Sequence, residues 1–564
     1  MLPWSRMIAP VALLGALGSA LLAMGGEPVG VTFDLAARGK IITDKFSDIN
    51  MWEVDRIWTE QAAEQPKDYF AANFPFVRRI QLMAATGGNE QRDLFKNPLD
   101  RTILTDYDFS RLVRACENIV AMGLKPMIKT GWVPLKLSAD PHISRAFRTN
   151  VRPPADYDAY YAYIKAMAEA LKQHFGIAQL RTWTWGVGVE YENRGWFEAE
   201  DGKPETTRLA YFRLYDTTAA ALEDALGAEN VTIGAHSMSV QAGSWRFWDA
   251  RDFIEHCANG ENLRRIGHKG THLDYLAISY YTRTPGFDPD QFLASIASVR
   301  EKAMQVGLTN LKYGVDEGRV LDGPDRKVLI AREAEHPIQA AGDAELFHLM
   351  VDHDVDYFST WGVTTDELFG DVPIVGANLR NLAFRMNGSA LLKSQRSGRP
   401  ADAADDVSGL AGYDAATKTL HVLLYNFNRN PDAASSEELA VSIAHVRPAG
   451  DHATLRSWPL DEDHGNWWKA WQADVAARKM PPEAFRHTTW TLSLPRELNN
   501  PADAEFWKSR AADYAKLGQL RSDDEPLRPG VGDTISWPAR LKPNAVVLYE
   551  LFPVEPVGPS DPSR

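Results

Sequence analysis

Two stretches of the chain have the pattern of a buried strand that ends on a carboxylate. Residues 184–193 have the sequence TWGVGVEYEN, and residues 312–318 have the sequence KYGVDEG. The carboxylates of interest, Glu190 and Glu317, lie 127 residues apart (317 − 190). If both strands belong to one barrel of parallel strands, their ends meet at the same rim. Two carboxyl groups at one rim can act as the acid/base and the nucleophile of a glycosidase.

Each of these assignments has an alternative within the same motif. Glu192 shares the strand parity of Glu190 but lies two residues further out, so Glu190 is favoured and Glu192 remains the alternative. In the second motif, Glu317 and Asp316 point to opposite faces of the strand, and Gly318 is expected to end it. A surface carboxylate that caps the next helix is the competing interpretation of Glu317.

The first two thirds of the chain alternate short apolar runs with helical patterns. Between the runs, apolar residues recur at steps of three and four and stop at a glycine, as at Gly123, Gly176, Gly227 and Gly307. Strands joined by crossover helices predict a (β/α)₈ barrel, whose functional face is the one where the strands end. The predicted strands are 46–51, 76–83, 125–132, 181–189, 231–236, 273–281, 312–317 and 357–361.

Past about residue 387 the pattern changes to strands and turns without crossover helices, which predicts an antiparallel β-sandwich domain. The runs with strand character are 419–427, 488–494 and 545–551, and the alternating run 29–35 is a further strand that this domain can recruit. The predicted organisation is a barrel over 27–390, with 29–38 as the candidate sandwich strand, a sandwich over 391–556 and a disordered tail over 557–564.

An apolar run over residues 8–24 follows Arg6 and leads into Gly25 and Gly26. A basic residue, an apolar stretch and small residues in that order predict a secretory signal peptide over 1–26. An uncleaved membrane anchor is the alternative, since the run is almost long enough to span a bilayer. The expected location is secreted or periplasmic, without stable membrane contact once the signal is removed.

The composition argues against several kinds of partner. The formal net charge is −14 and no basic block occurs, whereas nucleic acid needs a concentrated Lys/Arg surface. Cys116 and Cys257 lie in helical patterns and are predicted as small buried hydrophobes, with a disulfide between them as the alternative. His268 and His272 are four residues apart, but the glycines around them break any helix, so no metal and no cofactor is predicted.

Four motifs together resemble one known family. The pattern Trp-x-x-x-Val-x-x-Glu that ends at Glu190, followed by Trp196-Phe197, resembles the fourth-strand acid/base motif of glycoside hydrolase family 39, which contains β-xylosidases and α-L-iduronidases. The other motifs are residues 123–134 (GLKPMIKTGWVP), which resemble that family's third strand, residues 359–366 (STWGVTTD), which resemble its eighth-strand Trp segment, and residues 460–466 (LDEDHGN) with Trp471, which resemble a sandwich-domain signature. The likeness spans roughly residues 40–550.

The resemblance implies a retaining glycosidase in which Glu190 is the general acid/base and Glu317 the nucleophile. A retaining mechanism places the two carboxyl groups about 5 Å apart. Apolar neighbours and the charge of Glu317 are expected to raise the pKa of Glu190, so that it is protonated before attack. The implied substrate is an oligosaccharide or polysaccharide, with β-xylosidase activity as the first expectation.

The sequence departs from the family on both sides of the acid/base. The family places Asn before this residue and Pro after it, whereas here Val189 and Tyr191 occupy those positions. That Asn normally holds the sugar 2-hydroxyl, so the resemblance leaves Asn193, His236 or Tyr280 to replace it, or a different substrate. Tyr280 also stands where many relatives have His.

Further candidates surround the predicted rim. Arg78 or Arg79 resembles the family's arginine that braces the nucleophile, with an ordinary strand-end salt bridge as the alternative. Aromatic faces suit the C–H surface of a pyranose, and the candidates at strand ends are Trp132, Trp196, Tyr280, Tyr281 and, as the preferred one, Trp361. Two rival functions remain: an endo-acting hydrolase of an exported polysaccharide, and a carbohydrate-binding protein that kept the barrel but lost turnover.

Overall fold

The computed structural model describes residues 29–51, 68–145, 148–238, 247–283, 289–322, 336–361, 372–398, 405–428, 434, 436–479, 501–527 and 533–557. The predicted signal peptide, the predicted strand 488–494 and the predicted tail lie outside these ranges, apart from residue 557. Within them, no helix combines the length and the apolar character that crossing a bilayer requires.

Eight parallel strands close into a barrel, which confirms the predicted fold. Each of the eight predicted apolar runs overlaps with one of these strands, although most strands are shorter than predicted. The strands are β2 (Asp48–Met51), β3 (Arg79–Leu82), β4 (Lys125–Thr130), β5 (Thr184–Val187), β6 (Ile233–Ser237), β7 (Tyr275–Arg283), β8 (Lys312–Asp322) and β9 (Tyr357–Trp361).

Helices cover the outside of the barrel, and one of them shows a capping signal at both ends. The Asp156 side chain accepts hydrogen bonds from the N–H groups of the first turn of one helix, and Gly176 ends that helix at φ 77°. The helices are α1 (Tyr69–Asn73), α2 (Ser110–Ala121), α3 (Tyr157–Phe175), α4 (Ile177–Leu180), α5 (Pro204–Leu226), α6 (Arg251–Asn259), α7 (Pro289–Gln305), α8 (Pro337–Asp352), α9 (Val375–Arg385), α10 (Trp468–Ala477) and α11 (Pro501–Leu517). Cys116 and Cys257 are free thiols buried in this layer, as the preferred interpretation predicted.

Large side chains on some barrel strands occupy the space that glycines leave on their neighbours. Lys129 in β4 pairs with Gly186 in β5, and a Cβ on Gly186 would lie 2.5 Å from Cδ of Lys129. In the same way, a Cβ on Gly314 would lie 2.3 Å from the ring of Tyr357. This alternation of large and small residues fills the barrel interior with side chains instead of leaving a pore.

The two strands that carry the predicted carboxylates end differently from the prediction. β5 stops at Val187, so Glu190 lies in the following loop. β8 continues past Gly318 to Asp322. In the ladder between β7 and β8, Ile278 pairs with Val315 but Ser279 pairs with Glu317, so Asp316 is the extra residue of a β-bulge. The bulge shifts the alternation of side chains by one position from this point onward.

The C-terminal domain is a nine-stranded, mostly antiparallel sheet that recruits the strand at the start of the described chain. The strands are β1 (Val29–Ile41), β10 (Ala390–Ser397), β11 (Asp405–Asp414), β12 (Thr419–Asn428), β13 (Glu437–Ala444), β15 (Ala453–Leu460), β16 (Asp523–Leu527), β17 (Thr534–Leu541) and β18 (Val546–Phe552), with β14 (Val446–Pro448) and β19 (Val554–Pro556) forming a separate pair. β1 pairs antiparallel with β10 and parallel with β13. Trp537 in β17 contacts Tyr549 in β18, with 5.5 Å between their ring centroids, although these strands are distant in the sheet order. The sheet therefore folds on itself as a sandwich.

One strand joins the cores of the two domains. Val422 and Leu424 in β12 face the sandwich core, whereas Leu423 and Tyr425 face the barrel helices. The hydroxyl of Tyr425 lies 2.8 Å from Nδ1 of His348 in α8. β12 is thus buried on both faces, which explains its nearly continuous apolar run.

We expect Gly186→Ala to destabilise the protein by about 2 kcal/mol, because the new methyl group would overlap Lys129 in a packed interior. Urea denaturation measures the free energy of unfolding. Gly450→Ala is the matched control, since a Cβ there meets no atom within 4 Å. Equal stabilities of the two variants would contradict the packing described for the barrel interior.

Candidate active site

Glu190 lies in a tight turn just past the end of β5. Its backbone has φ 45°, in the left-handed region that residues with a side chain rarely adopt. The N–H of Asn193 donates to the carbonyl of Glu190 over 2.7 Å, and the N–H of Tyr191 donates to the carbonyl of His236 over 3.0 Å. A non-glycine residue that its surroundings hold in this conformation is typical of a functional site.

Two side chains donate hydrogen bonds to the Glu190 carboxylate. Nδ2 of Asn193 lies 2.7 Å and Nε1 of Trp196 lies 3.1 Å from Oε2, and the nearby hydroxyl of Ser279 also lowers the pKa of this carboxyl group. The ring of Trp196 stacks on Trp132, with 5.6 Å between the centroids and 18° between the planes. Because its partners are themselves packed, the Glu190 carboxyl group is held in one orientation.

Glu317 follows the bulge of β8 and is 4% exposed. The bulge explains why Asp316 and Glu317, neighbours in sequence, both reach the inside of the barrel, where the prediction placed them on opposite faces. Oη of Tyr281 donates to Oε2 of Glu317 over 3.1 Å. The other oxygen, Oε1, is buried and has no hydrogen-bond partner among the described residues. One carboxylate oxygen is therefore positioned while the other remains available for chemistry.

Ser279 lies between the two carboxyl groups. It pairs with Glu317 in the ladder between β7 and β8, and its hydroxyl is near enough to Glu190 to lower the pKa of that carboxyl group. Burial raises the pKa of both carboxyl groups, and the negative charge of Glu190 raises the pKa of Glu317 further. Two acids that repel each other in a dry site hold a single proton between them over a wide pH range. The pair can therefore present one carboxylic acid and one carboxylate at the same time.

A buried ion pair lies beneath Glu317. Nζ of Lys129 contacts Oδ2 of Asp316, and both side chains are fully buried. Oδ1 of Asp316 accepts hydrogen bonds from Oη of Tyr357 over 2.7 Å and from Nε2 of Gln81 over 3.3 Å. Burial by itself would raise the pKa of Asp316, but Lys129, His236 and the Tyr357 hydroxyl together outweigh it, so the pKa is lowered. Asp316 is thus a fixed anion, and Glu317 is the carboxyl group of this strand that can react.

His236 contacts the hydroxyl of Ser279. Its Nε2 lies 2.7 Å from the Ser279 hydroxyl, and its Nδ1 has no partner within the described ranges. Burial lowers the pKa of His236 to about 3, so the ring is neutral. A neutral ring with its proton on Nε2 donates to Ser279, and the hydroxyl of Ser279 can then donate to Glu190.

Glu192, the alternative acid/base, is engaged elsewhere. The hydroxyl of Ser237 donates to its Oε1 over 2.6 Å, and the N–H of Met238 donates to its Oε2 over 3.1 Å. Burial raises the pKa of Glu192 to about 7. Both carboxylate oxygens of Glu192 accept hydrogen bonds at the end of β6. Glu190 is therefore better placed than Glu192 to act together with Glu317.

The prediction that Arg78 or Arg79 braces Glu317 is wrong. Arg79 is the first residue of β3, where Nε donates to Oδ2 of Asp48 over 2.8 Å and a terminal nitrogen donates to Oγ1 of Thr184 over 2.8 Å. The Arg78 side chain is 56% exposed, on the outside of the barrel. Arg79 lies three residues before Leu82, the last residue of β3, and so at the end of the barrel where the strands begin.

Tyr280 and Tyr281 lie on opposite faces of β7. Tyr281 points to Glu317, as described above, but Tyr280 is 1% exposed and its ring meets Phe292 of α7 edge-on at 4.9 Å. The prediction that Tyr280 replaces the missing amide or contacts sugar is therefore wrong. The side chain of the neighbouring Ser279 points to the inside of the barrel.

The tryptophans on other strands that were predicted to contact sugar are buried where the structure describes their side chains. Trp132 and Trp196 are 4% and 7% exposed, and Val189 packs with both of them. The residue that replaces the family's Asn therefore supports the two rings that orient Glu190. The backbone of Trp361 pairs with Asn50 at the end of β9, but the side chain of Trp361 lies outside the part of the chain that the structure describes.

Sequence reasoning did not identify Ser279, Lys129 or Asp316 as parts of the site. A signal existed for Lys129, because a lysine inside the apolar run of a buried strand requires a buried counter-charge. No such signal existed for Ser279, whose position depends on the register between β7 and β8. Among the residues described, no group of three or more His, Cys, Asp or Glu side chains could hold a metal ion.

The structure predicts how Glu192 affects stability as the pH changes. Its pKa is raised from 4.5 to about 7, so the folded state binds the proton more tightly and the free energy of unfolding falls as the pH rises through this window. Gln cannot ionise, so Glu192→Gln should gain on the order of 2 kcal/mol relative to wild type between about pH 5 and about pH 8. Urea denaturation at each pH measures this difference. The matched control is Glu90→Gln at an exposed position; parallel curves for both variants would contradict the burial of Glu192.

The chain is similar to known proteins over part of its length. The sequence profile of the family described as Glycosyl hydrolases family 39 matches residues 90–308. A β-xylosidase of Geobacillus stearothermophilus is 24% identical over 278 residues, which cover 48% of this chain and 50% of that protein. An α-1,4-L-rhamnosidase of Formosa agariphila is 20% identical over 332 residues, which cover 58% of this chain and 61% of that protein. The matches thus span about half to three fifths of these relatives.

The fold likeness extends over more of the chain. A crystal structure of a monomeric β-xylosidase from Caulobacter crescentus CB15 superposes with a TM-score of 0.63 at 16% identity, covering 93% of this chain and 99% of that one. Both the barrel and the C-terminal sheet domain therefore have a solved counterpart. The resemblance that the sequence motifs predicted is confirmed: this chain is similar to glycoside hydrolase family 39, whose profile matches residues 90–308.

Proposed function

We propose that this protein is a retaining glycoside hydrolase, most similar in activity to a β-xylosidase, with Glu190 as general acid/base and Glu317 as nucleophile. The observation that carries the proposal is the pair of buried carboxyl groups on either side of Ser279. Repulsion between them favours one protonated and one ionised member, which are the two forms that the reaction needs at its start.

The chemistry follows from the environment of each group. In the first step, Oε1 of Glu317 attacks the anomeric carbon while Glu190 gives its proton to the leaving oxygen, so the C–O bond to the leaving group breaks and a glycosyl ester forms. The ester removes the charge of Glu317, which lowers the pKa of Glu190. Glu190 then takes a proton from water, whose oxygen attacks the anomeric carbon and releases Glu317.

The identity of the sugar is the least constrained part of the proposal. The two curated relatives are named for different sugars, a β-xyloside and an α-1,4-linked L-rhamnoside. Val189 also replaces the family's amide with an apolar side chain buried against tryptophans, which favours a different contact to the sugar in the reactive subsite. We therefore extend the proposal to exo- or endo-action on an oligosaccharide or polysaccharide, and we propose export as the route by which the protein meets it.

The same Val189 supports the second candidate, a carbohydrate-binding protein without turnover. Calorimetry with oligosaccharides separates the two functions: binding without release of product over a long incubation favours the second candidate.

Glu317→Ala should lower kcat by at least about 10⁴-fold, because the group that forms the covalent intermediate is lost. The melting temperature should change little, since the variant removes a buried carboxyl group that repels Glu190. Release of aryl alcohol from a panel of aryl glycosides measures the rate, and NMR of the first product gives its anomeric configuration. Near-normal turnover by this variant would overturn the assignment of the nucleophile.

Glu190→Ala should slow substrates according to their leaving groups. An aryl glycoside with an acidic phenol leaves without help from a proton donor, so its first step should largely survive, whereas an alkyl or sugar leaving group should lose about 10³-fold. The ratio of rates on the two kinds of substrate is the measurement. Glu192→Gln serves as the matched control and should retain activity on both kinds; loss of activity in Glu192→Gln with survival in Glu190→Ala would exchange their roles.

A further inference from the structure

We propose that a cleft between the barrel and the C-terminal domain is a second, non-catalytic binding site for a neutral saccharide. The cleft has a volume of about 660 Å³, within the range of about 300–1,000 Å³ that small-molecule sites occupy. Its walls come from α1 and α9 on the barrel side and from β12, β15 and β18 of the C-terminal domain. We call it the domain cleft, and the lining residues that matter here are Asn381, Arg385, His421, Trp458 and Glu550.

The domain cleft lies at the end of the barrel where the strands begin. Phe384, which lines it, is in the last turn of α9, and the guanidinium group of Arg78 lies 5.0 Å from the centre of the Phe384 ring. Arg78 directly precedes β3, which begins at Arg79. Glu190 and Glu317 lie towards the end where the strands stop, and side chains fill the barrel between the two ends. A ligand in the domain cleft therefore cannot reach the catalytic carboxyl groups.

Two residues that line the domain cleft, one from each domain, have a buried polar atom without a hydrogen-bond partner among the described residues: Oδ1 of Asn381 and Nδ1 of His421. The amide nitrogen of Asn381 donates to the carbonyl of Asn73 over 2.9 Å, so Oδ1 is the end of the amide that has no partner. His421 is 6% exposed, and its Nδ1 lies 3.6 Å from Oε1 of Glu550, beyond hydrogen-bonding distance. Because buried polar atoms without a partner are costly, a ligand with hydroxyl groups that satisfies both is favoured here.

The charges that line the domain cleft balance one another. Its charged residues are two arginines and two acids, namely Arg385, Arg456, Asp414 and Glu550. Burial lowers the pKa of His421, so its ring adds no charge. Arg385 donates to both carboxylate oxygens of Glu550, over 2.8 and 3.1 Å, and Arg456 makes the same kind of pair with Asp524, over 2.7 and 2.8 Å. An ionic ligand would have to break one of these pairs, whereas a neutral hydroxyl group needs only the unpaired polar atoms.

Trp458 gives the domain cleft an aromatic ring whose orientation is fixed. Its Nε1 donates to Oε2 of Glu550 over 2.9 Å, and the guanidinium group of Arg385 lies 4.4 Å from the centre of the ring system. Trp458 is only partly buried. A ring that two neighbours hold in place loses little freedom when a ligand binds, and an aromatic face suits the C–H surface of a pyranose. The ring, the balanced charges and the two unpaired atoms together favour a neutral saccharide over an ion.

Fluorine NMR of the full chain labelled with 5-fluorotryptophan tests the site directly. The resonance of Trp458 is identified by its absence in Trp458→Phe. It is then followed in Glu317→Ala, which is not expected to turn over the probes, while xylotriose, cellotriose, maltotriose or L-rhamnose is added. We expect the resonance to shift saturably with at least one of these neutral sugars. A resonance that moves with none of them, or with inorganic phosphate alone, overturns the proposal.

Two variants test the unpaired atoms. Asn381→Ala removes one of them at a partly exposed position, and His421→Phe removes the other while keeping a ring. Each should raise the dissociation constant of the sugar about fivefold or more, because a hydrogen bond to the ligand is lost. Asn387→Ala is the matched control: it changes an exposed asparagine just after α9 that does not line the domain cleft, and it should leave the affinity unchanged.

If His421→Phe does not fold, Asn381→Ala still decides the question, and equal affinities in Asn381→Ala and Asn387→Ala would contradict the assignment. The Trp458 resonance reports on the domain cleft and not on the candidate active site, because the two lie at opposite ends of the barrel. A wild-type protein that hydrolyses no glycoside therefore overturns the proposed function, whereas a Trp458 resonance that responds to no sugar overturns the second site.

Discussion

The repulsion between two carboxyl groups buried at one barrel mouth is the constraint on which the rest of the site depends. Glu190 and Glu317 are both shielded from water, and each makes ionisation of the other harder. Such a pair holds one proton, and the surrounding groups decide where that proton lies. Three features of the fold position these two carboxyl groups: the turn after β5, the tryptophan stack and the bulge in β8.

The barrel interior balances its charges locally. Lys129 pairs with Asp316, and Arg79 pairs with Asp48 one layer below, while Gln81 bridges the two acids through its amide group. Buried ion pairs of this kind add little net stability, because desolvation offsets their attraction. Their presence beneath the two candidate catalytic carboxyl groups therefore says little about the stability of the barrel.

The fold could be predicted from the sequence because its signals are local and repeated. Apolar runs of strand length alternate with helical periodicity, and glycines end the helices where the pattern says they should. The sheet character of the C-terminal domain followed from the absence of crossover helices. Its position against the barrel agrees with the apolar run of β12, which carries apolar residues on both faces and is covered on both.

The predictions failed where the position of a side chain depends on a neighbouring strand. Tyr280 is an aromatic residue of the kind that contacts sugars, but its ring packs on Phe292. The side chains of Ser279 and Tyr281 point to the inside of the barrel instead. Arg79 lies close to the predicted rim in sequence, yet β3 begins at this residue, so the arginine is at the opposite end of the barrel. The three residues from Arg79 to the end of β3 span about 10 Å along a strand, which is enough to remove a residue from a site.

The sequence by itself determined which carboxylates are candidates and which barrel strands carry them, because reactive residue types at the ends of apolar runs can be identified without a structure. Only the tertiary structure decided that Asp316 and Glu317 face the same side, since a bulge exists only in the pairing of two strands. It also decided that Lys129 meets Asp316, a contact between residues 187 positions apart. Local patterns specify elements, whereas the electric field at a site is the sum of charges that only the folded chain brings together.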